Sequence, residues 1–244
     1  MKPYRFRPMS AAEMRAALGA TRAELAVANE VLGFEKKKDE KSRAPRGRRP
    51  HVFVNVPFDR RYEPLFVALL VGIVGAGAHP RCVLEIPDDG RGRLRRLFDL
   101  IADCPISIHD LSRVSISKGG GVPRFNMPFE AGVACGLSLA RGQHRFFVME
   151  ETPFRLQRSL SDLNGIDPLL HGGTAHGMLR EVTSCLAGSK PPPFAKVKRL
   201  HEHARTRVRQ IRERYGVDGI FSRPAYTSAV AAIVGIAEHM GLVE

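Results

Sequence analysis

Between His51 and Leu170 short β-rich runs alternate with helix-compatible stretches, and this alternation constrains the fold more than any other feature. The β-rich runs are His51 to Asn55, Arg81 to Ile86, Pro105 to His109, His144 to Met149 and Ile166 to Leu170. Between them lie an apolar helix from Tyr62 to Gly75, an amphipathic one from Arg93 to Ala102, one ending near Arg141-Gly142, and one from Phe154 to Leu163 closed by Asn164-Gly165. Strands separated by helices cannot close as hairpins, so the pattern predicts a parallel five-stranded sheet with helices on both faces. Such sheets bind ligands beyond the carboxyl ends of their strands. Asn55 to Asp59, Glu85 to Gly90, Asp110 to Arg113 and the loop into Glu130 all fall there.

The segments around this core differ in charge. Of the net +13, residues 1–49 carry +7, residues 190–223 another +7, and the middle is close to neutral. Basic flanks of this kind suit nucleic acid or an acidic protein partner. Ser10-Ala-Ala-Glu13 is a capping box opening a helix to about Leu32. Met14, Leu18, Thr21, Leu25, Ala28 and Leu32 form a short heptad seam that could pair with a second copy or lie on the core. A basic linker from Lys36 to Pro50 follows. After Pro191-Pro192-Pro193, a basic helix has Val197, Leu200, Ala204, Val208, Ile211 and Tyr215 on its apolar face. Ser222 caps a last helix running to about Met240, apolar nearly all round and expected to be buried. The expected division is 1–49 as N-terminal helix and linker, 50–175 as the core, and 190–244 as a C-terminal helical extension. No unbroken apolar stretch of about 18 residues appears, and no apolar signal core follows Lys2, Arg5 and Arg7, so a cytoplasmic protein without membrane attachment is expected. The four widely spaced cysteines suggest reduced thiols rather than disulfides or zinc.

Several chemistries are disfavoured. Gly72, Gly75 and Gly77 end a helix rather than open one, and Pro80 takes the place of the third glycine of a dinucleotide fingerprint. Gly119 to Gly121 lacks the Lys-Ser/Thr of a phosphate-binding loop, and no Gly-x-Ser-x-Gly elbow exists. His201 and His203 face different sides of their helix, and His171 and His176 lie in a loop without nearby acids, so no metal or other cofactor is expected. What remains is the mouth of a helix, Arg124 to Gly136, with Asn126 and Pro128 as start signals and one acid, Glu130, in its first turn. That carboxylate either compensates the helix dipole or does chemistry. Cleavage of an N-glycosidic bond suits it, because the oxocarbenium-like transition state is stabilised or trapped by a carboxylate. Asp59, Asp110 and Asn126 are candidates for ribose hydroxyls, and Arg81, Arg93 or Arg113 for phosphates.

Val52-Phe-Val-Asn-x-Pro-Phe-Asp59, Leu84-Glu-Ile-Pro-Asp-Asp-Gly90 and Cys104-x-Ile-Ser-Ile-His-Asp-Leu-Ser112 resemble, in order, the first-strand box, the loop after the second strand and the serine after the third strand of bacterial Toll/interleukin-1 receptor (TIR)-like domains. Phe129-Glu-Ala-Gly-Val-Ala-Cys-Gly136 resembles the nucleophile helix of nucleoside 2-deoxyribosyltransferases. The resemblance implies a flavodoxin-like sheet, Glu130 as catalytic glutamate, and NAD or a deoxynucleoside as substrate. Asn55, Phe58, Asp59, Arg81, Asp110, Ser112 and Asn126 are the accompanying substrate-binding candidates. It also implies an NAD hydrolase of anti-phage defence, active as a homo-oligomer or in assembly with a sensor protein. The chain departs from the TIR pattern in having no Trp, hence no Trp-Cys pair before the glutamate. A deoxyribosyltransferase-like enzyme and a non-catalytic assembly module with basic flanks are the alternatives.

Overall fold

In the computed structural model, residues 49–86, 92–114, 124–142, 144–188, 191–216 and 219–243 are described. The helix expected between Ser10 and Leu32, most of the following linker, and the Pro87–Gly90 and Lys118–Gly121 loops lie outside them. The sheet comprises β1 (His51–Asn55), β2 (His79–Arg81), β3 (Ile106–Asp110), β4 (Arg145–Glu150) and β5 (Leu169–Leu170), all parallel, in the order β2-β1-β3-β4-β5. Val52 pairs with Pro80 on one side and Ile106 on the other. This is the parallel α/β sheet that the alternating pattern predicts, in the flavodoxin-like arrangement that the resemblance implies.

Alternation along β1 divides the core. Val52 and Val54 face α1 (Glu63–Gly75) and α5 (Ala175–Leu186). Phe53 faces α2 (Arg93–Ala102) and α3 (Asn126–Arg141). A short α4 (Arg155–Ser159) packs Leu156 against Leu111, Met127 and Val148. Outside α1 lies a further layer, α6 (Phe194–Tyr215) and α7 (Arg223–His239), so that α1 is covered on both sides. That is why every residue from Leu65 to Gly75 is buried and the helix is apolar all round rather than striped. Phe66 stacks on Phe221 and Tyr226, whose hydroxyl donates to the Pro80 carbonyl at 3.0 Å. Residues 49–244 thus form one compact unit. Among the described residues no helix is long and apolar enough to cross a membrane.

Local chemistry shifts several expected boundaries. The second strand is His79–Arg81, not Arg81 to Ile86. The Glu85 carboxylate accepts from Arg81 Nε at 2.6 Å and from the Cys82 amide at 3.1 Å, curling Val83–Glu85 into a 3₁₀ turn. Pro80 is tolerated because β2 is an edge strand. The helix expected from Phe154 to Leu163 is split, since Leu160 leaves the helical region before a 3₁₀ turn at Ser161–Leu163. The fifth strand keeps only Leu169–Leu170, beyond Pro168. Helix α5 has no counterpart in the expected pattern, yet Thr174 caps it, accepting from the Gly177 amide at 3.0 Å, and Met178, Leu179, Val182 and Leu186 are its large buried apolar residues. The last helix is buried along one face only, through Ala225, Tyr226, Ala229, Val230, Ile233 and Ala237.

Helix α1 approaches α5 so closely that a Cβ on Gly72 would lie 2.9 Å from Val182 Cγ1, whereas a Cβ on Gly136 in α3 would meet open space. Gly72→Ala should therefore lower stability by about 1–3 kcal/mol through overpacking, and Gly136→Ala should raise it by about 0.5–1 kcal/mol through helix propensity. Urea denaturation of both variants checks this; a Gly72→Ala protein as stable as wild type would show that the two helices can separate freely.

Candidate active site

Helix α3 begins at Asn126, with Phe125 as an N-cap that offers no side-chain hydrogen bond. Pro128 sits in the first turn, where its missing N–H goes unneeded. Glu130 is consequently the fifth helical residue, in the second turn and not the first, and no acidic residue occupies the first turn. The start of the helix is tied to the sheet by Asn55. At the end of β1, its Nδ2 donates to the Met127 carbonyl at 2.9 Å and lies 3.1 Å from His109 Nδ1. Asn55 and His109 are both buried. If Asn55 donates to Nδ1, the imidazole is neutral with its proton on Nε2. Burial, with His144 adding to it, pushes the His109 pKa down to about 3.

Glu130 lies in the wall shared by two lobes of a cleft at the carboxyl end of the sheet. One lobe, about 260 Å³, is bounded by the β1 end with Asn55 and Phe58, and by Arg124, Asn126 and Met127 of the helix mouth. The other, about 380 Å³, is more aliphatic, with Val83, Leu84, Ile86 and Leu97 alongside Arg96. Phe58, Val83, Arg93 and Glu130 border both. A larger hollow, of about 740 Å³, lies elsewhere, between α6 and α7, and the residues described as lining it include no carboxylate.

The Glu130 side chain is buried, at 6% exposure. Burial raises its pKa to about 7, and the positive charge of Arg93 only partly opposes this. A carboxylate serving the helix dipole would be favoured as the anion and shifted the other way. A carboxyl that shares its proton near neutral pH, at the waist of a cleft, is instead suited to proton transfer or nucleophilic attack.

The structure sorts the other candidates. Asn55, Phe58 and Asn126 line the cleft with Glu130. Asp59 is engaged by two guanidinium groups, Arg113 at 3.0 Å and Arg124 at 3.1 Å, and its Oδ1 also accepts from the Tyr62 amide. Its role in the described structure is to orient Arg124 at the cleft. Arg81 lies on the edge strand, paired with Glu85 and 3.3 Å from His51 Nδ1. Asp110 and Ser112 are buried in a separate cluster. There the Tyr62 hydroxyl donates to Asp110, the Ser112 amide donates to its Oδ1 at 2.9 Å, and His171 Nε2 stands 3.2 Å from Oδ2. Burial alone would raise the Asp110 pKa, but these contacts, led by His171, outweigh it and hold the carboxyl below its ordinary value.

Tyr62, His109, Glu150 and His171 were not among the sequence candidates. Glu150 is wholly buried at the end of β4, with Arg155 Nη1 3.9 Å away. Burial raises its pKa to about 7, Arg155 opposes the shift, and the neighbouring Asp110 charge adds to it. A titratable residue in the last two positions of a parallel strand is the signal that could have marked both Glu150 and His109. Among the described residues no group of three or more His, Cys, Asp or Glu side chains could hold a metal ion. No protein-family model, curated protein or solved structure matches the chain.

Because native Glu130 keeps its proton to about pH 7 while the unfolded chain loses it near 4.5, this residue's contribution to stability is complete below pH 4.5 and is lost as pH rises through 7. Glu130→Gln should therefore gain on wild type by about 3 kcal/mol between pH 4.5 and 8. Denaturant midpoints across that range test it, and a pH-independent difference would mean that Glu130 titrates normally.

Proposed function

We propose that the protein is an N-glycosidase that cleaves the bond between base and ribose of a nucleotide, with Glu130 as catalytic carboxylate and NAD as the substrate the family resemblance favours. The observation that carries this reading is the buried Glu130 carboxyl, with its pKa near 7, in the wall common to an aliphatic and a polar lobe. The aliphatic lobe suits a planar base. Asn126 and Arg124 suit the ribose and its phosphate.

In the reaction the C1′–N bond breaks and the departing base keeps its electron pair. Ionised Glu130 stabilises the oxocarbenium-like centre or bonds to C1′, and water then supplies the hydroxyl and releases a proton. From NAD the products are nicotinamide, ADP-ribose and a proton. If a covalent intermediate forms, a second base can replace water, which is the deoxyribosyltransferase alternative. Asn55 acts by holding the helix mouth, since its amide hydrogens point to Met127 and His109 rather than to the cleft. The resemblance further supports activity on self-assembly or with a sensor protein, and a role in anti-phage defence.

Released base from NAD and from a panel of nucleosides and nucleoside triphosphates, followed by chromatography, tests the reading. Glu130→Gln should lower release by at least about a hundredfold. Wild-type kcat/KM should rise with pH to a plateau, with an apparent pKa near 7. Release from no substrate, or equal release by both proteins, would reject the enzyme and leave the non-catalytic assembly module.

A further inference from the structure

Helix α6 stands at the outer surface, with six of its 22 residues buried against α1 and α7. Its charges are unevenly arranged around the remaining circumference. It carries eight Lys or Arg residues and two acids. With each residue turned roughly 100° from the last, Lys198, Arg205, Arg209 and Arg212 fall along one flank. Lys196, Arg207 and Arg214 fall along the other, with His203 between them. The crest between the flanks holds Ala195, Arg199, Glu202, Thr206, Gln210 and Glu213, so both acids lie on the crest and seven of the eight cations lie beside it. All these residues are exposed.

The cations are not there to pair within the fold. Lys196, Lys198, Arg199, Arg205, Arg209 and Arg214 make no side-chain hydrogen bond or ion pair among the described residues, while Arg207 donates to Gln210 at 2.8 Å and Arg212 is 3.5 Å from Glu63. Lys196/Arg199, Arg205/Arg209 and Arg209/Arg212 are like-charge neighbours at helical spacing, which disfavours the isolated helix. Each flank also borders an open hollow. Arg205, Arg209 and Arg212 line one of about 350 Å³ beside Pro64 and Ala175. His203 and Arg207 line one of about 740 Å³ beside Ala231 and Gly235 of α7. The helix is therefore a ridge with cationic sides and a polar, weakly acidic crest.

We infer that α6 is a nucleic-acid-binding element that enters the major groove of duplex DNA. In that groove a helix meets a phosphate strand on either side and base edges ahead of it. Cationic flanks match the phosphates, and Glu202, Thr206 and Gln210 on the crest meet groups that both donate and accept. A flat anionic surface, such as a lipid headgroup layer, would press against the crest and repel its two acids. Duplex RNA has a major groove too deep and narrow for a helix. The inference is independent of Glu130 and its chemistry.

Fluorescence anisotropy of a labelled DNA duplex of mixed sequence with the full chain, titrated across salt concentrations, provides the test. We expect a slope of log K against log salt of about −4 or steeper. Arg205→Gln/Arg209→Gln on one flank, and Lys196→Gln/Arg207→Gln on the other, should each reduce its magnitude by about 2 and weaken binding by about tenfold or more at moderate salt. Circular dichroism confirms that the variants are folded, and Glu130→Gln should bind as wild type does. An unchanged slope in both flank variants, equal binding of a duplex RNA of the same sequence, or tighter binding of polyglutamate or anionic phosphatidylserine vesicles would each overturn the inference.

Discussion

The amide of Asn55 is the contact on which the candidate site depends. It joins the end of the central strand to the first turn of α3 and, through His109, to the next strand. Without a side-chain cap, the opening turn is held by this bond and by Met127, which packs against Leu111, Val148 and Leu156. With Met127 tethered, Glu130 one turn further on is pressed into the wall of the cleft, and its burial sets its proton affinity. The neutral state of His109 belongs to the same arrangement, because a charged imidazole could not accept from Asn55 and would be buried without an anion beside it.

Two buried acids, Asp110 at the end of β3 and Glu130 in α3, behave in opposite ways. Asp110 is surrounded by donors from Tyr62, Ser112 and His171 and remains an anion. Among the described residues Glu130 meets no comparable set, and desolvation, which the Arg93 charge only partly opposes, decides its state. One carboxylate therefore stabilises the junction of β3 with α1 and the loop before α5, while the other is poised to exchange a proton. Asp59 is a third case. Holding both Arg113 and Arg124, it leaves the rim of the cleft with excess positive charge, which favours an anionic ligand.

The regular parts of this architecture are legible in the sequence because they rest on local periodicity. Helix α2 has the limits its amphipathic pattern predicts, and β1 coincides with the run from His51 to Asn55. The irregular parts depend on single residues, through a side chain that accepts from a main-chain amide at Glu85 and Thr174 and through a departure from helical backbone angles at Leu160. Glu85 shortens β2, Leu160 breaks the helix after Phe154, and Thr174 starts α5. Each involves one or a few residues, too few to impose a period that a pattern could reveal.

For the site, the sequence alone determined that polar strand ends converge near a helix mouth and that Glu130 is its single acid, since strand order along the chain and residue identity suffice for both. It also placed basic residues on both flanks of the core. Only the tertiary structure decided how each group is used. Asn55 proved to be an anchor, Asp59 an organiser of arginines, and Asp110 part of a buried cluster, because those roles depend on partners 48 to 72 residues away in the chain. Likewise, the proton affinity of Glu130 and the exposed ridge of α6 follow from what the packed core removes from water and what it leaves outside, a division that does not exist until the chain has folded.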